Sequence, residues 1–87
     1  MTQYIVQRHY TESADPDELS LWNDLESAKR EYEAKLEAYR RIGCPELEDR
    51  RVELTQNPGG VYARAVFRNE DESLTVFVLN SVKAEPQ

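Results

Sequence analysis

The chain has 87 residues, with 17 acidic against 11 basic side chains and a formal net charge of −6, which allows one small domain. That charge disfavours nonspecific binding to nucleic acid or an anionic membrane and permits a basic protein partner. No run of about 18 apolar residues offers a membrane span, the opening MTQYIVQRHY lacks the apolar segment of a signal peptide, and a lone cysteine excludes an internal disulfide and fits a reducing cytoplasm.

Residues 4–10, YIVQRHY, read as a strand because β-branched and aromatic side chains dominate. Tyr4, Val6, Arg8 and Tyr10 share one face, and Ile5, Gln7 and His9 the other. Residues 12–18, ESADPDE, form an acidic turn. Residues 19–22, LSLW, admit two readings. One is a short strand returning from the first as a hairpin. The other extends the following helix upstream, with Asp15 as cap, Pro16 at the first helical position and Glu18 at the third. A helix from 16 to 42 would be about 40 Å long, against a radius of gyration near 12 Å for a domain of this size. Length therefore favours the strand and a break near Asn23.

Residues 23–43 carry the clearest local signal. Leu25, Ala28, Tyr32, Leu36 and Tyr39 recur at helical spacing, and Ile42 extends the stripe. Asn23 is placed to cap the first turn, with Glu26 completing a capping box and Asp24 adding charge at the positive end of the helix dipole. Arg40 and Arg41 lie at the other end, Gly43 supplies a left-handed cap and Pro45 blocks continuation. Glu26–Arg30, Glu31–Lys35 and Glu37–Arg41 are acid-before-base pairs four residues apart, worth about 0.2–0.5 kcal/mol each.

Residues 46–49 read as an acidic connector. A strand is expected over 51–56, with Val52 and Leu54 on one face, then a turn at Asn57-Pro58-Gly59-Gly60. Residues 61–68 alternate: Val61, Ala63, Ala65 and Phe67 against Tyr62, Arg64, Val66 and Arg68. A second turn covers 69–73. Residues 74–82, LTVFVLNSV, are apolar on both faces, as expected of a central strand or one whose outer face is covered.

The expected fold class is α+β: a mostly antiparallel sheet of four to five strands with one long helix, about 23–42, packed on one face, in the order β(β)αβββ. It forms a single domain over 1–82, with 83–87 a frayed tail. Small Ala63 and Ala65 let the helix approach. The other sheet face would then stand open with Tyr62, Arg64, Val66 and Arg68, joined by either Val76 and Val78 or Phe77 and Leu79.

Two surfaces are candidates for binding. The first is the acidic entry to the helix: Asp15, Asp17, Glu18 and Asp24, with Trp22 as an interface anchor. The second is the open face, Tyr62, Arg64, Val66, Arg68 and Phe77. Arginines beside aromatics can hold single-stranded nucleic acid, but the βαββαβ order and glycine-aromatic motifs of an RNA-recognition sheet are missing. No catalytic residue, metal site or cofactor is expected. His9 and Cys44 are the only histidine and cysteine, too few for zinc. Neither Asp15-Pro16-Asp17 nor residues 69–73 keep the glycine of a calcium loop. Gly59-Gly60 lacks the lysine of a phosphate loop.

These features describe a small acidic, non-enzymatic protein-binding module. In size, acidity and antiparallel α+β organisation the chain resembles phage-encoded inhibitors of nucleic-acid enzymes, such as uracil-DNA glycosylase inhibitors and some anti-CRISPR proteins. That likeness implies a mobile-element inhibitor engaging a basic surface on a nucleic-acid-processing enzyme, and no residue role carries over with it. The alternatives are a homodimeric structural or accessory protein, and a small-molecule-binding domain with a cavity near His9, Arg8 or Arg64.

Overall fold

The computed structural model describes residues 2–10, 17–51 and 61–83. They form β1 (Thr2–Tyr10), β2 (Glu18–Trp22), α1 (Leu25–Ile42), β3 (Glu46–Arg51), β4 (Val61–Arg68) and β5 (Leu74–Lys83). The strands make one antiparallel sheet in the order β2-β1-β5-β4-β3, an α+β architecture. Helix α1 links one edge strand to the other, so it has to cross a face of the sheet. Strand β5 lies at the centre, one of the two positions that its apolar sequence allows.

Residues 18–22 are strand, paired with β1 from Tyr4↔Trp22 to Arg8↔Glu18. The helix cap differs from expectation by one residue. Asp24, in extended conformation, accepts from the Ser27 N–H at 3.0 Å and from the Ser27 hydroxyl at 2.8 Å. A carboxylate three residues ahead of Ser27 takes both donors, and Asn23 stands one position too early. Glu26 does not close a capping box; it pairs with Lys29 at 3.9 Å. Glu31–Lys35 and Glu37–Arg41 form as expected, at 3.3 and 3.4 Å. At the far end Gly43 has φ 92°, its N–H donates to Arg40 O, and the Cys44 N–H donates to Tyr39 O. Those bonds satisfy carbonyls that the last helical turn leaves unpaired.

The core lies between α1 and the helix-facing side of the sheet. Ala28, Tyr32 and Leu36 meet Val6, Ala63, Ala65, Phe67, Phe77 and Leu79. The small Ala63 and Ala65 leave room for Tyr32, whose ring reaches under Arg51 of β3 at 5.8 Å. Tyr39 packs edge-on to Phe77 (centroids 5.0 Å, 82°) and tilts against Phe67 at 5.5 Å, a geometry that aromatic quadrupoles favour. Ile42 does not continue the stripe. It is 70% exposed, at the last helical position before the Gly43 cap.

The acidic connector of the sequence is itself a strand. β3 occupies Glu46–Arg51 and pairs with β4 from Glu46↔Phe67 to Arg51↔Ala63. Its sequence, ELEDRR, shows no hydrophobic alternation, because its helix-side positions are filled by charges that pair with α1. Arg40 of the helix holds Glu46 at 2.9 Å and Asp49 at 3.8 Å, and Arg51 binds Glu33. The strand expected over 51–56 and the turn at 57–60 fall, apart from Arg51, outside the described residues.

Candidate functional site

Burial along β4 and β5 assigns each residue to a side of the sheet. Ala63, Ala65 and Phe67 face the helix, opposite Leu79, Phe77 and Thr75 in register. Arg64, Val66 and Arg68 therefore look out on the other side, with Leu74, Val76, Val78 and Asn80 of β5. The cross-strand registers add Ile5, Gln7 and His9 from β1, and Leu19 and Leu21 from β2. Among the described residues no helix or strand lies over this face, although Val66 at its centre is only 8% exposed between its neighbours.

Two of the five residues expected there are elsewhere. Phe77 is buried under the helix, 1% exposed, and Val76 and Val78 take the open side. Both alternating sets of β5 are apolar, so the pattern alone does not say which set turns inward; in the fold Phe77 lies opposite the small Ala65 on the helix side. Tyr62 also turns to the helix side. A register shift between Val61 and Ala63 changes the phase of the strand, and the Tyr62 ring packs on the core with the Lys29 ammonium 5.6 Å from its centroid. Arg64, Val66 and Arg68 are where the alternation places them. The open face thus shows no Phe, Tyr or Trp among the described residues, and the stacking platform that single-stranded nucleic acid needs is absent there.

What remains is divided. The β2-β1-β5 half is mainly aliphatic, built on Ile5, Leu19, Leu21, Leu74, Val76 and Val78, with Leu19 and Leu21 48% and 60% exposed. His9 donates through Nε2 to Gln7 Oε1 at 2.7 Å on the same strand. The β4-β3 half is charged: Arg64 pairs with Glu48 at 3.5 Å and lies opposite Arg50 in register, and Arg68 is exposed.

The acidic entry to the helix makes local structural contacts while Asp17 and Asp24 stay exposed. Asp15 lies outside the described residues. Asp17 accepts from the Tyr10 N–H at 3.0 Å and donates its own N–H to Arg8 O at 2.8 Å, closing the mouth of the β1–β2 hairpin. Glu18 binds Lys35 and approaches Arg8 at 3.7 Å. Asp24 caps α1, and the Ser27 hydroxyl and N–H hold its carboxyl below the ordinary aspartate value of 3.8. Trp22 is half-buried on the helix side, its Nε1–H donating to Ser20 Oγ at 2.9 Å. By contrast Glu70 and Glu72, in the β4–β5 turn, have no ion-pair partner among the described residues. That turn closes with Glu72 N–H on Asn69 O, and Glu72 adopts φ 70°.

A groove of about 1070 Å³ opens between this turn, the end of β1 and the end of α1. Arg8, Tyr10, Tyr39, Ile42 and Cys44 line it together with residues 69–73. Arg8 spreads over the Tyr10 ring at 5.6 Å, and its Nε is buried without a hydrogen-bond partner among the described residues. A hydrogen bond with Tyr39 pushes the Tyr10 hydroxyl above its usual range. The sequence named Arg8 as a possible neighbour of a cavity but offered no sign of this wall, because 8, 39 and 69–73 meet only in the folded chain. Among the described residues no three His, Cys, Asp or Glu side chains are grouped to hold a metal, and no helix is long and apolar enough to cross a membrane. No family model matches the chain, and neither a curated protein nor a solved structure matches it.

Proposed function

We propose that the protein is a non-enzymatic binding module that docks a protein partner on the aliphatic half of its open sheet face. The observation that carries this reading is the aliphatic set Ile5, Leu21, Val76 and Val78, partly exposed around Gln7, His9 and Asn80, which the helix does not cover. Exposed aliphatic surface on a small domain marks an interaction site when it is contiguous. The net charge of −6, and Glu70 and Glu72 without an ion-pair partner among the described residues, favour a partner with a basic rim, such as the nucleic-acid-binding cleft of an enzyme. Arg64 and Arg68 bound the contact, because a basic partner is repelled from the β4-β3 half. Inhibition by occupying such a cleft is the role that fits. The test is capture of partners on immobilised protein, with Val78→Asp as the comparison. Retention that falls as salt rises and is lost in Val78→Asp supports the reading. Retention unchanged by that substitution defeats it.

The groove beside Arg8 favours a second reading, a small-molecule-binding domain, because a buried guanidinium N–H without a partner among the described residues can donate to an anionic or carbonyl oxygen. Arg8→Met should then abolish any ligand-induced rise in melting temperature across a metabolite panel. A rise that survives Arg8→Met removes the groove as the site.

A further inference from the structure

We propose that the protein forms a two-fold dimer by pairing β2 with the β2 of a second copy, joining two five-stranded sheets into one of ten. This stands apart from the heterologous docking above and rests on a contrast between the two sheet edges. β3 is defended: five of its six residues are charged, and its register with β4 shifts between Glu46 and Glu48. Charge and bulges are the devices that keep an edge strand single. β2 has neither. Its register with β1 is unbroken, it contains no proline, lysine or arginine, and Leu19 and Leu21 stand exposed beside its outer backbone. An edge in this state offers N–H and C=O groups that another strand can satisfy.

The sequence of β2 suits its own copy. Directly opposed residues of an antiparallel pair share a face, so a closed two-fold dimer has to centre on a residue. Ser20 is the centre that uses all five positions of the strand. It sets Leu19 of each copy against Leu21 of the other on the open face, and Glu18 against Trp22 on the helix face. Opposed side chains come within about 4.5–5.5 Å there, and no like charges meet. Beside β2 on the helix side, a groove of about 280 Å³ carries Arg30, Glu31 and the exposed Ala34. An isologous contact brings this flank against itself, so that each sign can meet the other and Ala34 leaves room for approach. The open aliphatic half then continues from one copy into the next.

Sedimentation of the full chain tests the pairing. The expected result is a mass that rises with concentration toward twice the 10.1 kDa of one chain, more readily in high salt, since salt screens the repulsion between two acidic copies. Docking of a basic partner weakens in salt, so the two proposals fail separately. The Leu19→Lys/Leu21→Lys variant should sediment as a single chain with an unchanged circular dichroism spectrum. Should that variant misfold, cysteines decide. In a Cys44→Ser background, Ser20→Cys should oxidise to a linked dimer about tenfold faster than Leu19→Cys, because directly opposed positions lie within disulfide reach and diagonal ones, at about 7–8 Å, do not. A wild-type chain that stays at single mass near millimolar concentration, a folded double-lysine variant that still dimerises, or equal rates for the two cysteines would overturn the proposal.

Discussion

Along β5, neighbouring side chains meet two different environments. Thr75, Phe77 and Leu79 are sealed between sheet and helix, while Val76 and Val78, chemically as apolar, remain half-exposed on the far side. The covered face is bound by packing at its centre and by ion pairs at its β3 margin, where Arg40 and Arg51 reach Glu46, Asp49 and Glu33. Among the described residues the open face has one ion pair, Arg64–Glu48, and an aliphatic half with no helix or strand over it. The same strand chemistry therefore supports stability on one side and is left available for recognition on the other.

The sharpest way to break this contrast is to truncate adjacent residues. Phe77→Ala should cost about 3–5 kcal/mol in urea unfolding, because it removes an aromatic ring from a closed core. That is a large share of the roughly 4–13 kcal/mol expected for a domain of this size. Val78→Ala should cost about 1 kcal/mol or less, since part of its surface is already wet. Equal costs would mean that the two faces do not differ in cover.

The covered face also depends on the helix being held at its start. Asp24→Ala should lower the melting temperature by about 4–8 °C near neutral pH. The bonds from Ser27 depress the folded-state carboxyl below its ordinary value of 3.8. A depressed acid contributes stability above its unfolded value and loses it as the pH falls through the folded one. The gap between wild type and Asp24→Ala should therefore close in strong acid, and a gap of constant size would show that the charge is not what caps the helix.

The smallest effects compare the margins. Arg51→Ala removes the Glu33 pair and the contact over Tyr32, and should cost about 0.5–1 kcal/mol. Arg64→Ala, on the open face, should stay within about 0.5 kcal/mol. A reversal of that order would place the ionic stitching on the wrong face.

Which parts of this molecule could be read without its structure follows from how local each signal is. The alternation of β4, the turn at 69–73, the limit of α1 at Gly43 and the strand character of β5 each rest on neighbours in sequence. β3 is not legible in this way, because its charges look like a solvated connector until the helix that neutralises them is in place. The acidic cluster at the helix entry shows in the sequence only as charge, and its local bonds are not legible there. In the fold Asp17, Glu18 and Asp24 are tied to a backbone amide, to Lys35 and Arg8, and to Ser27.

By itself the sequence determined the helix stripe, its left-handed cap and the strand character of β1, β4 and β5, since hydrophobic period and cap chemistry act within a few residues. Only the tertiary structure decided the strand order, the inward turn of Phe77 and Tyr62, the defended edge at β3 against the bare one at β2, and the wall around Arg8. Each of these depends on residues far apart in the chain meeting at a particular register, and a shift of one position there moves a side chain from one face to the other.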